Sequence, residues 1–137
     1  MSYHQVVIVG NLGRDPEMRY TPSGQPVTNF SIATNRSYNN QAGEQVKETT
    51  WFRVDAWGKL AENCNQYLKK GSLALILGRI KPDPASGGPR IYQGQNGPGA
   101  SFEITADTVR FLSSANGANG PTTVAEAMGQ GIEFPTE

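Results

Sequence analysis

Lys47-Glu48-Thr49-Thr50-Trp51-Phe52-Arg53-Val54-Asp55-Ala56-Trp57 is the stretch that decides the fold. Phe52, Val54 and Ala56 alternate with Trp51, Arg53, Asp55 and Trp57. A period of two puts the first set on one face of a strand and the second set on the other. The wholly apolar face belongs in a core, so both indoles and the Arg53 guanidinium look outward. Exposed indoles are unfavourable unless something covers them. Two coverings fit. Bases would stack on the rings, since every base has a π-face, and Arg53 between them would meet a phosphate or stack itself. Alternatively, the rings pack under a loop or at a subunit interface.

Upstream, Gln5–Gly10 is a short β-branched run that ends at the turn residues Gly10-Asn11-Leu12-Gly13. Val27–Asn35 alternates, with Phe30 and Ile32 on one face, and reads as a half-buried strand. Asn39–Gly43 is a polar loop. Downstream the spacing turns helical, with Leu60, Cys64 and Tyr67/Leu68 on one side. Lys69 and Lys70 suit the negative end of that helix, and Gly71 the position just past it. Ser72–Ile80 is a buried-looking strand and Phe102–Leu112 a final one. Between them, Pro82–Ala100 holds five Gly and four Pro, so it is a long loop or a hairpin interrupted by one. The expected fold class is all-β: a five-stranded barrel with one short helix between strands three and four. That is the plan of the oligonucleotide/oligosaccharide-binding (OB) barrel. A generic small β-barrel shares the strand count but lacks the helix.

The chain has 137 residues and a net charge of zero, which hides an asymmetry. Residues 1–112 hold all 12 basic residues and nine of the 12 acids, a balance of +3; the rest hold three acids and no base. A mildly basic body with an acidic tail suits a polyanion binder. The expected division is therefore a domain over 1–112 and a disordered, mildly acidic tail over 113–137, rich in Ser, Asn, Gly and Ala. Arg36, Lys47, Lys59, Arg79, Lys81 and Arg90 lie on or beside loops that would border the Trp51 face, where together they would track phosphates. Tyr38 would extend the aromatic platform.

No stretch approaches the roughly 20 apolar residues of a membrane span, and no signal peptide is readable, so the chain reads as soluble and intracellular. The single cysteine, Cys64, excludes an internal disulfide and a cysteine-based zinc site. It falls on the apolar face of the helix, where an inert core thiol is expected. His4 is the only histidine and lies near the terminus. No nucleophile–base pair can be built from such an inventory, and no phosphate-loop or dinucleotide fingerprint is complete. Neither an enzyme nor a cofactor or metal binder is expected.

Val9-Gly10-Asn11-Leu12-Gly13, Asp15-Pro16-Glu17, Arg19-Tyr20, Pro22 and Gly24 resemble the opening of bacterial single-stranded DNA-binding proteins. Thr50-Trp51, Trp57-Gly58-Lys59-Leu60-Ala61-Glu62 and Tyr67-Leu68-Lys69-Lys70-Gly71 extend the resemblance in register. It is close over 5–81 and looser over 101–112. It implies the OB barrel, a homotetramer, and sequence-independent coating of single-stranded DNA during replication, recombination and repair. It implies a cytoplasmic, nucleoid-associated place, without catalysis or cofactor. Trp51 and Trp57 match stacking positions of the family, Trp57 standing where Phe is common. Tyr38 matches a third, often Trp, and Arg53 and Lys59 match positive positions beside them.

Two departures stand out. The aromatic usual just past strand four is missing from Lys81-Pro82-Asp83-Pro84. Family tails commonly end in several acids followed by Ile-Pro-Phe, a tip that docks replication and repair proteins. Here Ile132, Glu133, Phe134 and Pro135 carry few acids and the reversed Phe-Pro order. Barrels of this plan also serve as RNA-binding or protein-interaction subunits, the alternative reading. Finally, Val6 and Ile8 share one face of the first strand and Val7 and Val9 the other. One face fills the barrel; the other is expected to pack against another subunit.

Overall fold

The structure, a computed structural model, describes residues 1–113. The tail expected from 113 onward, with its tip Ile132–Pro135, lies outside the described residues apart from Ser113. The order of elements is β1 (Val6–Leu12), β2 (Glu17–Tyr20), β3 (Pro26–Asn39), β4 (Gln45–Trp57), α1 (Lys59–Tyr67), β5 (Leu73–Ile80), β6 (Arg90–Gly94) and β7 (Gly97–Ser113).

Five of these strands close a barrel. β1 pairs antiparallel with β5, β5 antiparallel with β7, β7 parallel with β4, and β4 antiparallel with β3. β3 then returns to β1 through Asn11↔Ala33 and Leu12↔Ile32. Closure removes the open edges that make isolated sheets liable to aggregate. The helix lies between the third and fourth barrel strands, as the sequence leads one to expect.

The ring closes because β1 changes partner partway along. Gly10 sits at that crossing: a Cβ built there would stand 2.2 Å from the Ala33 carbonyl oxygen. Only glycine lets the two backbones approach so closely. The turn expected at Gly10–Leu12 is therefore strand, and the chain bends only after it.

Inside the ring, Ile8, Leu12, Phe30, Ile32, Val54, Ala56, Ala74, Ile76 and Ile104 make one buried cluster. Each large side chain there stabilises the fold by roughly 1.5–3 kcal/mol relative to exposure. Phe52 and Val6 pack on its margin. α1 lays Cys64 on the same cluster, next to Leu68. The Thr28 hydroxyl donates to the Ala61 carbonyl at 2.6 Å and fastens helix to barrel in a buried position. Burial pushes the Cys64 thiol up to about 12, as befits an inert core cysteine. Past the helix, the Lys70 amide donates to Asp15 Oδ1 at 2.8 Å, which ties the β1–β2 turn to the entry of β5. His4 Nε2 accepts from the Ile80 amide at 2.9 Å, so the segment before β1 is anchored at the end of β5.

The expected split of β1 holds for its core face: Ile8 is buried and Val6 packs beside it. On the outer face Val7 is exposed, while Val9 lies with Leu77 and Leu112 against the buried Leu75. One short strand, β2, was not anticipated, and of the two readings of Pro82–Ala100 the hairpin is the one nearer the structure. β2 adds to the edge of β3 through Glu17↔Asn29 to Tyr20↔Pro26. β6 and the start of β7 form a hairpin from Arg90↔Ser101 to Gly94↔Gly97, so Pro82–Ala100 is a loop followed by a hairpin.

Candidate nucleic-acid interface

β3 and β4 pair over thirteen residues, from Val27↔Trp57 to Asn39↔Gln45. Val54 and Ala56 are fully buried, so the odd-numbered residues of β4 point out of the barrel. Trp51 is 54% exposed and Trp57 40%. The two indoles stand six residues apart, about 20 Å along the strand. Arg53 and Asp55 lie between them on the same face.

Trp51 and Arg53 divide two depressions. One, of about 320 Å³, runs to Gly13, Arg14 and Ser31. The other, of about 420 Å³, runs past Thr49 to Tyr92, Ser101 and Phe102. Together they form a groove that crosses β4 at Trp51. The ring of Trp51 rests on Gly13: a Cβ there would stand 2.5 Å from Cζ3 and 2.7 Å from Cη2. Gly13→Ala is expected to push the indole aside and weaken oligo-dT binding several-fold. The clash is with the far end of a side chain, so the urea midpoint should stay close to the parent's. An oligo-dT titration and urea unfolding followed by tryptophan emission check the two halves.

Tyr92 and Phe102 were missed from sequence, because the hairpin that carries Tyr92 stood only as an alternative to a long loop, with no register assigned to it. The signal was Gln95-Asn96-Gly97 between Tyr92 and Ala100: a two-residue turn entering a glycine at φ 106°. Phe102 also faces the mouth of the barrel. There its ring meets Phe52 at 5.9 Å between centroids, beside an apolar cavity of about 330 Å³ shared with Val6, Ile80 and Ile104.

The register separates residues that the sequence reading grouped. Arg36 pairs with Glu48, and Tyr38 with Val46, so both lie on the opposite face of the β3–β4 ribbon from Trp51. The Arg36 guanidinium stacks 4.7 Å from the Tyr38 ring centre. Lys47, opposite Ser37, shares the Trp51 face. Arg79 is elsewhere: it lines a cavity with Tyr3, His4 and Asp107 and pairs with Asp107 at 3.5 Å. Lys81 returns to the β4 wall through Asp55, 3.1 Å away. Lys59, at the start of α1, pairs with Glu62 one turn on at 3.6 Å.

Most of the expected phosphate contacts thus already hold a carboxylate. Arg36 pairs with Glu48 at 3.6 Å, and Arg53 with Glu103 at 3.7 Å. The exposed Arg36–Glu48 pair contributes about 0–1 kcal/mol and yields readily to a phosphate, whereas the carboxylate facing Arg53 is buried. Lys47 and Arg14 have no ion-pair partner among the described residues. No cluster of three or more His, Cys, Asp or Glu that could hold a metal exists among those residues, and none of their helices is long and apolar enough to cross a membrane.

Known proteins place this architecture. A family model described as the single-strand binding protein family matches residues 3–112. The single-stranded DNA-binding protein of Neisseria meningitidis serogroup A is 40% identical over 131 residues, which is 95% of this chain and 71% of that protein. A deletion mutant of the single-stranded DNA binding protein from Thermus aquaticus superposes with a TM-score of 0.63 at 25% identity, over 80% of this chain and 50% of that one. A Plasmodium falciparum SSB, solved with ssDNA, shares the fold with a TM-score of 0.69 at 22% identity, over 82% of this chain and 97% of that one. The match spans the whole barrel, including both indole positions on β4 and the helix that follows them, and on it this chain belongs to the single-strand binding protein family.

Proposed function

We propose that this chain binds single-stranded DNA without sequence preference, stacking bases on Trp51 and Trp57 while cations beside them track the phosphates. The observation that carries the reading is the outward presentation of both indoles on one barrel wall, with Arg53 between them. A duplex hides its base faces, whereas a single strand offers them, so an exposed aromatic wall selects the single strand. Lys47, Arg53 and Lys81 serve the same wall, and Arg14 its far end. Tyr92 and Phe102 take the place of the aromatic missing after β5. Tyr38 and Arg36 form a second station, reached by a strand that passes around the β3–β4 ribbon. Lys59 and Arg79 contribute charge at a distance.

The family membership supports a role in replication, recombination and repair, in the cytoplasm, by binding rather than catalysis and without a cofactor. The acidic end of the chain, with Phe134 flanked by Ile132, Glu133 and Pro135, is assigned to docking the proteins of those processes. Titration of oligo-dT, oligo-rU and duplex DNA against tryptophan emission tests the main reading. Strong quenching by oligo-dT with none by duplex is expected; equal response to all three, or none, contradicts it.

We further assign a homotetramer. Val7 stands exposed beside the partly buried Val9, Leu77 and Leu112 on the outer face of β1, β5 and β7, an apolar surface that a second copy would cover. Sedimentation is expected to give four chains per particle at micromolar concentration. A stable monomer under those conditions removes the assignment.

A further inference from the structure

Arg53 of the groove and Arg90 of the neighbouring β6 strand converge on one carboxylate. Glu103 stands on β7 opposite Arg53 of β4 in the parallel register, and is only 8% exposed. Its Oε2 accepts from the Ser101 hydroxyl at 2.8 Å and lies 3.7 Å from Arg53 Nε. Its Oε1 lies 4.0 Å from Arg90 Nη1. Its backbone carbonyl accepts from the Lys81 amide at 2.8 Å. The β4 wall, the exit of β5 and the β6–β7 hairpin therefore meet at this residue. Among the ion pairs of the described residues, Glu103 is the most buried acid and the one that two cations share.

A carboxylate this deeply placed stands only where cations offset its desolvation. Two guanidiniums on one carboxylate leave a formal surplus of one positive charge. Each guanidinium also carries five N–H donors in a rigid fork, of which a single contact spends few. Both side chains remain about half exposed, Arg53 at 46% and Arg90 at 51%. We infer that Glu103 is a positioning residue for phosphate binding: it clamps Arg53 and Arg90 with spare donors toward the groove and pins the hairpin that carries Tyr92 against β4. The inference rests on the single-stranded DNA reading above. Simple Coulomb repulsion says the reverse, since a carboxylate on a DNA face opposes phosphates. The two views give opposite signs.

Glu103→Gln decides between them, because it keeps the volume and the Ser101 contact and removes the charge. Under the clamp, oligo-dT affinity falls by about tenfold at low salt, the cost of ordering two long side chains anew. The slope of log affinity against log salt becomes shallower by about 0.7, one phosphate contact. Arg90→Ala then costs less in the Glu103→Gln chain than in the parent, the mark of coupled residues. Tighter binding with an unchanged or steeper slope, or fully additive losses, overturns the clamp. Circular dichroism of each variant reads the fold. Should Glu103→Gln not fold, Ser101→Ala frees the carboxylate while keeping its charge and is expected to weaken binding two- to threefold; parent-like binding there overturns the clamp. A parent chain that does not bind oligo-dT removes the single-stranded DNA reading and the clamp together. A parent that binds and a Glu103→Gln chain that binds equally removes the clamp alone.

Discussion

Trp51→Ala and Trp57→Ala are each expected to weaken oligo-dT binding by about 1–3 kcal/mol, roughly 5- to 150-fold, the usual cost of losing one base–aromatic stack. The two rings stand about 20 Å apart along β4, so their losses should add when both are removed. The barrel should survive either change, because neither ring belongs to the core of Phe30, Val54 and Ile104. The consequences for stability differ slightly. Trp51 rests on Gly13 at the surface, whereas Trp57 lies opposite the buried Val27, whose cover it shares. A small drop in unfolding midpoint is therefore expected for Trp57→Ala and almost none for Trp51→Ala. Oligo-dT titration by anisotropy, with urea unfolding of the same preparations, checks both. Normal binding with easy unfolding would make that ring a packing residue.

Gly10→Ala should damage the fold itself. The new Cβ would stand 2.2 Å from the Ala33 carbonyl oxygen and 2.9 Å from its carbon, and a backbone carbonyl in a paired strand cannot swing away. Closure between β1 and β3 depends on two residue pairs only, so a shift there opens the ring. The expected loss is at least the roughly 1–3 kcal/mol typical of overpacking. Urea denaturation should show a lower midpoint with an unchanged slope. Gly88→Ala is the control. Its Cβ would meet nothing closer than Ser86 Oγ at 3.6 Å, and a parent-like midpoint is expected. Equal midpoints for both variants would contradict the close approach at Gly10.

The barrel was legible where one face of an element is buried and the other is not. Lys47–Trp57 alternates for that reason, and its register followed from Val54 and Ala56 alone. Cys64 declared its burial through helical spacing. What stayed hidden depends on contacts between segments distant in the chain. Gly10 looks like a turn residue until β3 is brought across it. The Arg90–Gly94 strand is exposed at every position, so no apolar period marks it. Composition ranked the arginines and lysines alike, while register put Arg36 and Tyr38 on the far side of the β3–β4 ribbon and Arg79 beside the N-terminal residues. The pairing of Arg53 and Arg90 with Glu103 joins three segments whose order in the sequence gives no hint of it. The resemblance carried the family, and the geometry then redistributed the site residues within it.

The central claim is that both outward indoles hold bases of a single strand. Trp51→Phe and Trp57→Phe each leave one tryptophan as reporter and one phenyl ring to stack in place of the other. Saturating oligo-dT should quench the emission of the remaining tryptophan strongly in both variants, with duplex DNA leaving it unchanged. An indole whose emission is unaltered at saturation is not in contact with bases, and the account of that wall would be wrong.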